Sequence, residues 1–317
     1  MTAILQHWHI SGSGKAVNLI SGDQSAKVVK SGYEWVHLNA SDEKSRQWLL
    51  DDPDIDILAI DTMLAPDARP RTIAHEGGLL VNLRGVNLNE GSYVTDMVGI
   101  RFVVEENRIV SIERRPLKAT AIISEHLRTA PAPSTSSGFL AWFALTLSEL
   151  MGPTVTELSE KVDDFEQAGD EDIQNLDRSI LSSLRRDVIS LRRYLAPQRD
   201  ALNSFTVQNL KWISERDRLH MRSAADQTTR ITEEFDALRE RCAVIRDHLT
   251  DHRAETMNKN MMILSVVAAI FLPLGLISGM MGINVGGIPW TGDPMGFWYV
   301  IGIVIVCGLL QLLFFKI

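Results

Sequence analysis

Met261–Met281 reads MMILSVVAAIFLPLGLISGMM, 21 residues without a charge, and Gly296–Phe315 reads GFWYVIGIVIVCGLLQLLFF, a second apolar run broken only by Gln311. About 20 apolar residues in a helix cross the ~30 Å hydrocarbon core of a bilayer. Between the runs lies Gly282–Met295, GINVGGIPWTGDPM. The pattern predicts a hairpin of two transmembrane helices rather than a buried core hairpin, because two adjacent charge-free runs of this length are rare in soluble proteins. Two helices cannot enclose a channel, so an ion path requires several copies around an axis, joined by identical heterologous contacts. Ser265 with Ala269, and Gly275 with Gly279, are small pairs four apart that let backbones approach in lipid. Gly275 and Gly279 read equally well as looseness around Pro273.

At the end of the first apolar run, Gly282-Ile283-Asn284 matches the Gly-x-Asn signature of the CorA-like metal-ion transporter superfamily. A C-terminal two-helix hairpin on a chain of this length is that superfamily's plan. The following Val285-Gly-Gly-Ile-Pro-Trp290 resembles the ZntB branch, which is associated with zinc. The magnesium branch has Gly-Met-Asn and a Met-Pro-Glu-type loop; here Ile283 replaces Met and the loop holds no Glu. The resemblance implies an α+β membrane protein: an N-terminal cytoplasmic α/β domain with a largely antiparallel sheet, a long helical stalk and the hairpin, assembled as a homopentameric funnel in a bacterial inner membrane. It implies zinc as cargo, with proton-coupled uptake as the favoured direction and efflux as an alternative. Magnesium, cobalt and nickel remain open. A membrane-tethered coiled-coil scaffold is the reading from a different class, and a polar residue such as Asn284 in the loop counts against it.

Composition agrees. Residues 1–260 suffice for one or two cored soluble units. The membrane segment carries only Asp293 and Lys316, so the net charge of −8 belongs to the soluble part. An acidic body argues against nucleic acid as a partner and suits the gathering of divalent cations, although ordinary solubility explains it equally. Two cysteines, Cys242 and Cys307, give no disulfide framework and fit a reducing cytoplasm. The N-terminal residues lack the basic and apolar regions of a signal peptide. Gly12-Ser-Gly-Lys15 fails as a phosphate loop, since His9 and Ala16 stand where Gly and Ser or Thr are needed. With no nucleophile motif, cofactor loop or nucleotide site, neither an enzyme nor a resident cofactor is expected. Arg253 and Lys259 precede the first span, Lys316 follows the second, and the loop has no Lys or Arg. Both termini are therefore expected in the cytoplasm.

Four regions are expected: 1–138, a cytoplasmic α/β domain; 139–203, a cytoplasmic helical region; 204–260, a stalk helix; and 261–317, the hairpin with a periplasmic loop at 282–295. In the first, Ala16–Ile20 and Trp35–Leu38 read as strands, and Ser41-Asp-Glu-Lys44 opens a helix through Leu50. Thr72–His75 with Leu79–Leu83, and Gly99–Glu105 with Arg108–Arg114, read as hairpins, and Ala121–Arg128 as a short helix. Pro131–Gly138, PAPSTSSG, reads as a linker. Phe139–Met151 reads as an apolar helix interrupted by Gly152-Pro153, too short to cross a membrane. The acidic stretch Thr154–Asp172 reads first as a solvated face, and the resemblance implies as the alternative a helix near the ion path.

From Gln198 to Leu272 there is neither Gly nor Pro. One helix is predicted from about Thr206 to Met281, with a break near Asn203-Ser204. Met221, Ala224, Thr228, Ile231, Phe235, Leu238, Cys242, Ile245 and Leu249 alternate three and four apart, a coiled-coil seam. Phe165–Tyr194, with Leu176, Ile180, Leu184 and Leu191, is its expected antiparallel partner. Toward the membrane, Asp247 with Asp251 and His248 with His252 are i, i+4 pairs that can each bring two ligands to one Zn²⁺, completed from a neighbouring helix or copy. They also read as wetted residues at a membrane surface, and Asp247 alternatively as a carboxylate ring at the inner mouth. Stepping back from Asn284, the pore face is expected near Gly275, Leu272, Leu264, Met261 and Asn258. Asn rings at the ends would hold a hydrated cation, and Leu and Met rings would gate by dewetting. Plain lipid or helix contact accounts equally for Leu264 and Leu272.

Overall fold

The computed structural model describes residues 4–20, 31–66, 69–75, 77–173, 176–283, 285–290 and 292–314. The chain divides into two compact units, Met1–Val244 and Ile245–Ile317.

Among the described residues the first unit is built on seven strands: β1 (Ile4–Ser11), β2 (Ala16–Asn18), β3 (Gly32–Asn39), β4 (Arg71–His75), β5 (Gly78–Gly85), β6 (Val98–Val104) and β7 (Arg108–Glu113). They form one sheet in the order β2-β1-β3-β7-β6-β5-β4. β3 and β7 pair in parallel, Trp35 opposite Ile109 and Leu38 opposite Ile112, and every other pairing is antiparallel. Alternation sends successive side chains to opposite faces. Trp8, Tyr33, Trp35, Leu79, Val81, Phe102 and Ile109 lie on one face, packed against α3 (Lys118–Thr129) and α4 (Ser136–Asp172). Val36, Leu38, Leu80, Val103, Val110 and Ile112 lie on the other, packed against Leu49 of α1 (Glu43–Leu50) and Ala59, Ile60 and Met63 of α2 (Ile57–Leu64). The result is a three-layer α/β/α core. The cap of α1 is Asp42, whose carboxylate accepts from the Lys44 amide. Between sheet and α3, Ser111 Oγ receives Trp35 Nε1 and contacts His37 Nδ1, both at 2.8 Å, and Glu113 accepts from Thr120 Oγ1 at 2.9 Å. Trp35, His37, Ser111, Thr120 and Glu113 thereby find hydrogen-bond partners inside the core.

α4, α5 (Arg178–Thr206) and α6 (Glu215–Met281) continue as long helices. All nine residues of the expected α6 seam are buried. α5 presents a matching stripe, Leu181, Leu184, Val188, Leu191, Leu195, Leu202 and Phe205, and α4 presents Met151, Val155, Leu158, Val162 and Phe165. Ser148 Oγ lies 2.9 Å from Thr228 Oγ1, Arg192 Nη2 donates to Asp236 Oδ2 at 3.1 Å, and Arg241 pairs with Asp163 at 2.6 Å and with Glu166. These contacts tie α6 to α4 and α5, so the acidic stretch is answered by Arg241 as well as Lys161.

Several expectations are corrected. Helix α4 runs through Gly152-Pro153, because Met151 and Val155 are both buried on one side of the helix and packing holds the turn that propensity would open. The seam's partner is two elements: α4 ends at Asp172, α5 starts at Arg178, and Ile180 is exposed. The break before α6 falls at 207–214 rather than at Asn203-Ser204. There Ile213 is buried, Leu210 and Trp212 pack against the core, and Trp212 Nε1 donates to the Gly77 carbonyl at 3.3 Å. The expected linker at 131–138 is part of the core. Tyr33 Oη donates to the Pro133 carbonyl at 2.9 Å, the Ala132 amide to the Gly14 carbonyl at 2.8 Å and Ser136 Oγ to the Glu106 carbonyl at 3.0 Å.

In the second unit, α6 continues to Met281, and α7 (Gly296–Phe314) follows a loop. Leu274 Cδ1 lies 3.8 Å from where a Cβ on Gly308 would stand, an ordinary contact distance, so α6 and α7 meet at that level.

Candidate functional site: the apolar hairpin and its loop

The most apolar 18-residue windows of α6 and α7 are buried to 0% and 6% within the chain. A soluble core helix of that hydropathy would be covered, since exposing it to water forfeits about 25 cal/mol per Å² of apolar surface. Their solvent is lipid, or another copy of the chain.

The candidate pore residues lie on this exposed surface. Met261, Leu264 and Leu272 are 57%, 69% and 73% exposed, Asn258 is exposed, and nothing stands within 4 Å of a Cβ placed on Gly275. At about 100° per residue the five positions share an arc of about 120° on α6. Helical phase does not extend to the signature. The Gly282 amide donates to the Ser278 and Gly279 carbonyls, both at 3.1 Å, and the helix closes there. Gly282 is exposed in the turn and Ile283 is exposed beyond it. Asn284 lies outside the described residues, as does Thr291.

Nearer the soluble unit, Asp247, His248 and Asp251 are exposed and His252 is half-buried. Asp247 Oδ1 takes Arg246 Nη2 at 2.7 Å, a partner adjacent in sequence that the i, i+4 reading overlooked. His252 Nε2 is buried without a hydrogen-bond partner. Among the described residues, no three or more His, Cys, Asp or Glu side chains gather into a metal-binding group. Each i, i+4 pair by itself brings at most two side chains together, short of the four ligands a closed zinc site needs.

The loop holds features that composition did not single out. Trp290 has φ +63°, in the left-handed region that bulky residues rarely adopt. It is held there by hydrogen bonds and by space. Its carbonyl accepts the Asp293 amide at 3.2 Å, and a Cβ on Gly296 would stand 2.6 Å from that carbonyl oxygen. Asp293 Oδ1 accepts the Met295 amide at 2.8 Å at the start of α7. The Trp290 and Tyr299 rings are 5.8 Å apart, centre to centre.

A mixed-sheet unit followed by a long helix, a glycine-closed turn and a second apolar helix matches known proteins over its whole length. The sequence model described as CorA-like Mg2+ transporter protein matches residues 30–316. The chain belongs to that family. It is therefore a divalent-cation transporter of the CorA/ZntB type, and the family is one of transporters rather than enzymes. A relative described as divalent cation transporter CmaX, from Pseudomonas aeruginosa, is 35% identical over 83% of this chain and 80% of its own. One described as zinc transport protein ZntB, from Cronobacter sakazakii, is 30% identical over 95% of this chain and 91% of its own. Among solved structures, full-length CmaX superposes with a TM-score of 0.84 at 31% identity, covering 99% of this chain and 97% of that one. The CorA magnesium transporter of Methanocaldococcus jannaschii gives 0.82 at 18% identity over 100% and 98%, a likeness of fold.

Proposed function

We propose that this CorA-like protein carries zinc across a bacterial inner membrane as a homopentamer, by proton-coupled uptake, with both termini in the cytoplasm. The observation that carries the reading is Gly282-Ile283-Asn284 and the Gly-Gly-Ile-Pro-Trp loop between two helices whose apolar surfaces are uncovered on a single chain. Relatives with the printed name zinc transport protein span nearly the whole chain. Two helices surround no aqueous path, so a closed ring of heterologous contacts is required. Asn258, Met261, Leu264, Leu272 and Gly275 face its axis, with Gly282, Ile283 and Asn284 at the outer mouth. Asp247, His248, Asp251 and His252 bind metal at the inner end once a neighbouring copy adds ligands. Zinc is the cargo, and no resident cofactor takes part.

The test is zinc flux into proteoliposomes with and without an inward proton gradient. Uptake raised by the gradient and saturable in zinc is the expected result. Flux indifferent to the gradient removes the coupling, and no zinc flux beside robust magnesium flux removes the cargo. Magnesium is the second reading, favoured by the family's own description.

A further inference from the structure

The second unit contains a cleft that the transport reading does not use. Its volume is about 710 Å³, within the range of small-molecule sites. It starts at the loop and descends along α7. Trp290, Asp293, Trp298 and Tyr299 form its mouth, and Gly302, Ile303, Val306 and Cys307 its floor.

We infer that this cleft binds one phospholipid with a primary-amine headgroup, of the phosphatidylethanolamine type, with the ammonium at the mouth and an acyl chain along the floor. Three observations carry this. First, the mouth is chemically matched to a cation. Three aromatic rings line it, and ring faces attract cations. Asp293 is the only acidic residue between Met261 and Ile317. Its Oδ1 is engaged by the Met295 amide, and a carboxylate has further lone pairs to offer. A primary ammonium brings three N–H donors to them, whereas a quaternary ammonium brings none.

Second, the mouth is constructed. Trp290 holds a left-handed backbone conformation, and only a glycine at 296 leaves room for it. The Trp290 ring lies beside that of Tyr299 on the first turn of α7. Third, the floor is apolar and open. Nothing lies within 4 Å of a Cβ on Gly302, so the groove at that level has the room a hydrocarbon chain needs. Tryptophan and tyrosine favour the headgroup level of a bilayer, which places the mouth where ammonium groups reside and the floor where acyl chains do.

The protein supplies its own reporter. Trp290 and Trp298 are the two tryptophans of the membrane segment, and the other five lie in the soluble unit. The full chain is reconstituted in vesicles of equimolar phosphatidylethanolamine and phosphatidylglycerol, with bromine on the acyl chains of one lipid at a time, and tryptophan quenching is read. The expected result is quenching that reports about threefold enrichment of the amine lipid over its share of the bilayer. Phosphatidylcholine in its place shows weaker enrichment, because its quaternary ammonium keeps the attraction to the rings but brings no N–H donor to Asp293. Asp293→Asn, which preserves the cap on Met295, and Gly302→Leu, which fills the floor, each bring the enrichment back to one. Equal quenching by all lipids in the parent protein overturns the inference and leaves only an aromatic belt. Enrichment that survives both variants overturns it as well. So does absent enrichment with Gly302→Leu splitting the assembly on native mass spectrometry, because the cleft is then a contact between copies. None of these readouts depends on zinc flux, so the inference and the transport reading fail separately.

Discussion

Ser137 Oγ donates to Asp217 Oδ2 at 2.7 Å, joining the first turn of α4 to the first turn of α6 across 80 residues of sequence. Thr135 Oγ1 donates to the same oxygen at 2.9 Å, and the Asp217 amide donates to Ser214 Oγ at 3.1 Å. One buried carboxylate therefore serves two helix N-termini, where negative charge is favoured. Burial, with the Asp217 charge adding to it, pushes the Tyr33 phenol well above its ordinary pKa. Asp217→Ala leaves the hydroxyl donors of Ser137 and Thr135 without this acceptor and is expected to destabilise the soluble unit by about 1–3 kcal/mol. Gly138→Ala should act in the same direction, since its Cβ would stand 2.8 Å from both Asp217 Oδ1 and Thr135 Oγ1. Thermal unfolding checks both. An unchanged midpoint in Asp217→Ala would show that the tie is dispensable.

The pairing of α5 with α6 makes a pH prediction. The hydrogen bond from Arg192 holds the Asp236 carboxyl below its ordinary value, with burial opposing and the charges of Arg192, Arg239 and Arg199 adding. A carboxyl with a lowered native pKa contributes stability that is fully present above its unfolded pKa of about 4 and is lost as pH falls through the native value. Both side chains are more than a third exposed, so the contribution is under about 1 kcal/mol after screening. Asp236→Asn is expected to lower the unfolding midpoint by a constant small amount above about pH 5, and the gap to the parent should close below about pH 4. A gap that widens in acid contradicts the pairing.

How much of this was legible in the sequence differs by element. The hairpins β4–β5 and β6–β7 follow from alternation around Gly77-Gly78 and Glu106-Asn107. The α6 seam is buried at every predicted position because a 3-4 repeat sustained over nine positions has one amphipathic solution. Strand β1 escaped notice, since polar Gln6, His7 and His9 interrupt its apolar alternation. Helix α2 was also missed, although its cap Asp56, which accepts the Leu58 amide at 2.6 Å, was a readable signal. The break at 207–214 has no glycine or proline to announce it; Ile213 and Trp212 impose it through tertiary packing. Pro131–Gly138 has linker composition, yet its partners on Gly14, Glu106 and Tyr33 are all distant in sequence. In the membrane unit the signature was legible as a motif, and among the described residues no three or more His, Cys, Asp or Glu side chains gather on one chain for spacing to reveal.

Assembly is the next expected outcome. The uncovered apolar surfaces of α6 and α7 require partners, and the ring is expected to contain five copies. Native mass spectrometry from mild detergent should give a pentamer. A stable monomer or dimer that still conducts would sink the proposal, because one or two hairpins cannot surround water.

Topology rests on basic residues. Arg253, Lys259 and Lys316 flank the spans, and 282–295 has none. Thr291→Cys in a background without Cys242 and Cys307 should react with a membrane-impermeant thiol reagent on spheroplasts. Labelling that appears only after lysis would place the loop in the cytoplasm.

Asn284 carries the last prediction. Gly282 closes α6 on the Ser278 and Gly279 carbonyls, so Asn284 follows a helix C-terminus, where unpaired carbonyls make the local potential negative. Five such ends with five side-chain amides would form an oxygen-rich mouth for a divalent ion that keeps its first water shell. Neutral amides suit the task, because the ion must leave again. The competing account is that Asn284 merely ends the helix in a left-handed conformation. Glycine separates the two, since it adopts that conformation freely and has no amide side chain. Asn284→Gly is expected to assemble like the parent and to lose most zinc flux, at least tenfold, the equivalent of about 1.4 kcal/mol at the mouth. Native mass spectrometry reads the assembly and proteoliposome uptake reads the flux. Transport at the parental rate would assign Asn284 to helix termination alone and leave the selectivity of the mouth to other groups.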